Sequence, residues 1–108
     1  MSFEALTQEV KKFPFQEIRY DIANYLELVI DFKFARDLCP MLECHFGPPL
    51  KPAGKEPTPE AKKYTDRLGG IQKNQVLYYM RDENMSQCVM LWPWEDQTHV
   101  TVKIARTH

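Results

Sequence analysis

The sequence predicts an α+β fold: one mostly antiparallel sheet of about five strands, an N-terminal hairpin plus a C-terminal three-strand meander, with two to three helices packed chiefly on one face. Three observations predict it. Residues 75–106 hold three runs of β-branched and aromatic side chains parted by short polar breaks. Residues 16–30 hold two further runs around Ala23 and Asn24. Apolar residues at spacings of three and four precede and follow that pair of runs, the period of an amphipathic helix. The element order is α, β, β, α, α, β, β, β.

The first element is helical because Phe3, Leu6, Val10 and Phe13 fall on one stripe, with Ser2 placed to cap it and Pro14 to close it. Over 15–30 two periods compete. Ile18, Ile22, Leu26 and Val29 lie at helical spacing, whereas Ile18, Tyr20 and Ile22 alternate with Arg19 and Asp21. The β-branched and aromatic density favours a hairpin, with 16–21 pairing with 25–30 around Ala23-Asn24, since Asn tolerates the left-handed turn conformation.

Over 33–46, Phe34, Leu38, Met41, Leu42 and His45 return to helical spacing, and Gly47-Pro48 is a helix stop. Pro40 kinks this helix if it begins near Lys33, and sits in the favoured first turn if it begins at Cys39. Residues 48–57 form a proline-stiffened extended connection, long for one domain. A short helix then starts at Thr58 and Pro59, with Glu60 near its positive end, and stops at Leu68-Gly69-Gly70.

In the meander, Val76, Tyr78 and Met80 point inward from the first strand, leaving Gln75, Tyr79 and Arg81 on the more solvated side. The run 87–92 is apolar on both faces, as a strand paired on both edges requires, so it is the middle strand of the three. In the last run Val100, Val102 and Ile104 share a core face, while His99, Thr101 and Lys103 share a wet one. Residues 82–84 and 95–97 supply turn chemistry, and Pro93, which has no N–H to donate, ends the middle strand.

A chain of 108 residues makes one domain, 1–108, with a single core. Apolar content of 44% and charged content of 27% exclude a disordered composition, and a formal net charge of −1 provides no general attraction to nucleic acid. No apolar run approaches the roughly 20 residues of a membrane helix, and the Met1-Ser2-Phe3-Glu4 start is not a signal segment. Three cysteines, Cys39, Cys44 and Cys88, fit no disulfide framework. These features predict a soluble, cytoplasmic protein with reduced thiols and no membrane partner.

Candidate chemistry is sparse. Residues 50–75 are mildly basic, holding Lys51, Lys55, Lys62, Lys63, Arg67 and Lys73 against Glu56, Glu60 and Asp66. That pattern is a solvated face in its plain reading and an anion site in its sharper one, but Gly54-Lys55 lacks the flanking residues of a phosphate-binding loop. Cys39, Cys44 and His45 invite a zinc reading, yet the two thiols sit five residues apart on different helix faces and read better as core thiols. Cys88 and His99 make a Cys and His pair only if they meet across strands, and no orienting acid or oxyanion hole accompanies them. No catalytic residue, metal ligand or cofactor is therefore expected.

The remaining candidate surface is one sheet face carrying Tyr79, Arg81, His99, Thr101 and Lys103, with Trp94 as an anchor for a partner and Trp92 in the core. A mixed aromatic and cationic sheet can stack bases, but without a basic excess or an RNA-recognition aromatic spacing, nucleic acid is not expected. The functional expectation is a non-catalytic interaction or accessory domain, self-associating through a sheet face, with a homo-oligomer or protein partner. The alternative is a small-ligand-binding protein or enzyme whose pocket lies between loop 48–57 and the sheet, with Lys51, Lys55, Tyr79 and His99 as polar lining.

Overall fold

The computed structural model describes residues 2–107. Helix α1 (Phe3–Lys11) leads into strand β1 (Phe15–Ile22) and strand β2 (Tyr25–Asp31), then through a 3-10 turn (Phe32–Phe34) into helix α2 (Ala35–Phe46). Helix α3 (Pro59–Thr65) continues as a second 3-10 turn (Asp66–Leu68) before strands β3 (Val76–Arg81), β4 (Ser86–Pro93) and β5 (His99–Thr107). The five strands form one sheet in the order β1-β2-β5-β4-β3, with every neighbouring pair antiparallel. The hairpin thus docks on β5, which becomes the central strand of the sheet, while β4 is the middle strand of the meander.

Local chemistry accounts for the element ends. Ser2 Oγ accepts from the Ala5 amide at 3.0 Å, and Thr58 Oγ1 accepts from the Ala61 amide at 3.1 Å, each satisfying a first-turn donor. Pro40 lies inside α2, which begins at Ala35, so the helix runs through the proline instead of starting at it. The carbonyl of Arg36 consequently loses its intrahelical donor. Gly69 ends the α3 segment in the left-handed region, at φ 99°.

The two sheet faces are covered by different parts of the chain. Helices α1 and α2 lay Leu6, Val10, Leu38 and Leu42 on one face, against Leu28 and Ile30 of β2, Val102 and Ile104 of β5, Val89 of β4 and Tyr78 of β3. The opposite face is capped by Ala61 and Ile71, with Leu68 packed alongside, over Leu77, Met90, Cys88 and Ala105. The second apolar face of β4 is therefore covered by the protein's own α3 segment.

That return of the chain overturns the expected wet face of β5. Thr101 is buried and Lys103 and His99 are half-buried, because the α3 segment and the Trp92-Pro93-Trp94 stretch lie over them. Gln75, expected on the solvated side of β3, is buried, while Met80 lies at the far end of the core face and is exposed. Lys51 also leaves solvent: its N–H and C=O pair with Leu77, and its ammonium donates to the carbonyls of Lys73 and Gln75. Strand β1 is the exception to all this covering, exposed along all eight residues and tied to α1 by the 2.7 Å Lys11–Asp21 ion pair.

Candidate functional site

Two uncovered features lie side by side on the hairpin half of the sheet. The first is the β1 edge. Its pairing with β2 contains two irregularities, between Phe15 and Glu17 and between Ile18 and Tyr20. Because directly paired residues share a face, Phe15, Ile18 and Asp21 fall on the α1–α2 side with Ile30, Leu28 and Leu26. Glu17, Tyr20 and Ile22 fall on the opposite side with Val29, Glu27 and Tyr25. Arg19, the extra residue of the second bulge, reaches Glu17 at 3.0 Å and Glu27 at 3.6 Å.

The second feature is a trough on the α3 side of the sheet. The α3 segment covers β3, β4 and the Lys103 part of β5 but stops short of the hairpin, leaving the Ala105 end of β5 as the floor between the two. A cleft of about 270 Å³ opens beside Tyr64, Arg67, Cys88 and Ala105. A neighbouring one of about 540 Å³ opens between Tyr20, Tyr25 and Arg67. They share Arg67, Leu68, Ala105 and Thr107, and so form one trough. Its ends are aromatic: Tyr64 and Tyr79 stack at 3.9 Å with their planes 4° apart, and Tyr20 meets Tyr25 at 5.9 Å.

A knot around Gly69 fixes the α3 wall. The Lys103 ammonium donates to the Leu68 carbonyl at 2.9 Å and lies 3.3 Å above the Trp92 ring. A Cβ on Gly69 would stand 2.8 Å from the Trp92 ring edge and 3.3 Å from that ammonium, so both the close approach and the positive φ require glycine here. Burial holds Lys103 below the usual lysine range. The Trp92 indole N–H is buried without an acceptor among the described residues.

Acid–base chemistry in the trough is muted. Burial pushes the Cys88 thiol up to about 11, which keeps it neutral and unreactive near pH 7. Tyr25 is raised far above the ordinary tyrosine range by burial and by donating its hydroxyl to Glu27 at 2.5 Å. Glu27, itself buried, is thereby engaged by Tyr25 and Arg19.

The residues singled out from the sequence divide into three groups. Tyr79 and Lys103 reach the trough system, and Arg81 borders an adjoining shallow cleft with Tyr79 and Glu83. Trp94, His99 and Thr101 form a separate cluster near the start of β5. The Trp94 indole N–H donates to Thr101 Oγ1 at 3.0 Å, and its ring lies 4.7 Å from that of His99. Trp94 therefore folds back onto its own sheet.

Lys51 and Lys55 belong to the β3 side. The Lys51 ammonium is committed to two carbonyls and presents no charge outward; Lys55 is exposed beyond the turn at Gly54. The cysteines are all free, and Cys44 is exposed instead of core, since its position on α2 faces away from the sheet. Tyr20, Tyr25 and Arg67 escaped the sequence reading as site residues. Their only signal was membership in the hairpin and in the basic run 50–75.

No protein-family model, curated protein or solved structure matches this chain.

Proposed function

We propose that the chain is a non-catalytic interaction domain that self-associates along β1. The observation that carries this reading is that an edge strand exposed over its whole length holds Phe15, Ile18, Tyr20 and Ile22, with exposures of 44%, 37%, 56% and 66%. Large apolar side chains on an unpaired strand edge are a template for strand addition, and soluble proteins ordinarily cover or charge such edges. The sheet face of β4 no longer serves this purpose, because α3 covers it, so the edge takes its place.

Charge complementarity supports a second copy as the partner. An antiparallel β1–β1 pair with its two-fold axis at Ile18 sets Glu17 of each copy opposite Arg19 of the other, which joins the Glu17–Arg19 pair within each chain to its symmetry mate as a four-charge network, and opposite charges facing across a ladder are stabilising. The bulges of β1 restrict that ladder to a few rungs, so apolar contact carries most of the association.

Size-exclusion chromatography with light scattering tests the proposal. The wild type is expected at twice the chain mass of 12.8 kDa, and Ile18→Glu at the chain mass with unchanged far-UV circular dichroism. A wild-type protein that remains a monomer at high concentration would overturn it.

A further inference from the structure

We infer that the trough between the α3 segment and the β1–β2 hairpin binds a small amphipathic acid, a planar apolar body carrying one carboxylate. The trough borders the β1 edge through Tyr20 and Ile22, but the residues that select its ligand, Arg67 and Lys103, lie outside β1, so a monomeric chain still presents the site.

Shape is the first argument. The narrower cleft, about 270 Å³, opens through a shared rim into the wider one, about 540 Å³, and together they reach the size of small-molecule sites. The second argument is lining. Ala105 and the Cys88 thiol make an apolar floor, Leu68 adds apolar surface to the α3 wall, and the two tyrosine pairs provide flat aromatic surface at the ends.

The third argument is charge, and it selects the head group. Arg67 stands on the rim common to both clefts, Lys63 stands beside it, and neither has a carboxylate within 4.0 Å among the described residues. Lys103, on the floor, is held by a carbonyl and an indole face but likewise has no carboxylate partner within that distance. Two acids line the trough, Asp66 in the narrower cleft and Glu27 in the wider one, where it is shared among Tyr25, Arg19 and the field of Lys103, so Lys63, Arg67 and Lys103 remain in excess. An unpaired guanidinium presents a planar fork that matches one carboxylate in two parallel hydrogen bonds. An excess of positive charge above an apolar floor therefore specifies an acid with an apolar body.

Isothermal titration with naphthalene-2-carboxylate, its neutral alcohol 2-naphthylmethanol and inorganic phosphate tests this, alongside amide shift mapping. The Arg67 side chain makes no ion pair among the described residues, so Arg67→Gln and Arg67→Lys are expected to keep the fold, checked by unchanged far-UV circular dichroism. The carboxylate is expected to bind about tenfold tighter than the alcohol or phosphate, to lose roughly that factor in Arg67→Gln and to recover part of it in Arg67→Lys. Amide shifts should centre on Arg67, Lys103 and Ala105. No carboxylate binding, equal binding of the alcohol, equal binding of phosphate, or an unchanged affinity in Arg67→Gln would each overturn the assignment.

Discussion

Gly69 and Cys88 show how single residues hold the trough together. Gly69→Ala places a methyl against the Trp92 ring at a positive φ, so it should destabilise the fold by about 1–3 kcal/mol, measured by urea denaturation. The nearest atoms to that methyl include the Lys103 ammonium, so the same variant should shift the Leu68 and Lys103 resonances. Cys88 carries a pH signature. Its folded-state value is raised from 9.0 to about 11 by burial, so its contribution is present below pH 9 and is lost as pH rises through 11. Wild type should therefore lose about 3 kcal/mol more stability than Cys88→Ala between those limits. A parallel alkaline decline in the two proteins would contradict the buried neutral thiol. Tyr78, raised chiefly by burial, adds alkaline loss that is common to both proteins, whereas Tyr25, also raised chiefly by burial, feels Cys88 as a lesser cause.

The seven-residue α3 is too short to persist without its cap and its packing on the sheet. Thr58→Ala removes the bond to the Ala61 amide, should cost about 1 kcal/mol, and should raise amide exchange over 59–65 while leaving β4 and β5 protected. This element also shows what the sequence does and does not reveal. Its cap, proline start and glycine stop were legible because each is a local backbone effect. Its destination was not, since nothing in residues 59–68 says which sheet face they cover. For that reason the alternation of Val100, Val102 and Ile104 located the core face correctly, whereas Thr101 and Lys103 were misread as wet. The hairpin follows from its β-branched density, whereas the left-handed conformation expected of Asn24 is not adopted: among the described non-glycine residues only Gln97 has a positive φ. Its tip is held by Arg106, whose guanidinium donates to Asn24 Oδ1 at 3.1 Å and to the Ala23 carbonyl at 2.9 Å. That contact across more than eighty residues has no sequence signal. The site was legible only in Tyr79 and Lys103, because Tyr20 and Arg67 join them through strand register and chain return.

At the scale of the whole molecule, the five-stranded sheet outruns its cover on both faces. Helices α1 and α2 pack over the strands from β2 to β3, the α3 segment protects β3, β4 and part of β5, and β1, the outer strand of the hairpin, stays bare. One asymmetry thus produces both the trough and the exposed β1 edge. The opposite edge is different: the bridge between Lys51 and Leu77 occupies part of β3. Self-association should therefore use one edge alone and give a closed dimer, not a filament. Amide hydrogen exchange of β1, measured at low and high protein concentration, tests this most directly. Protection over 15–22 should rise with concentration while β3 stays unchanged; exchange in β1 that is independent of concentration would contradict the account.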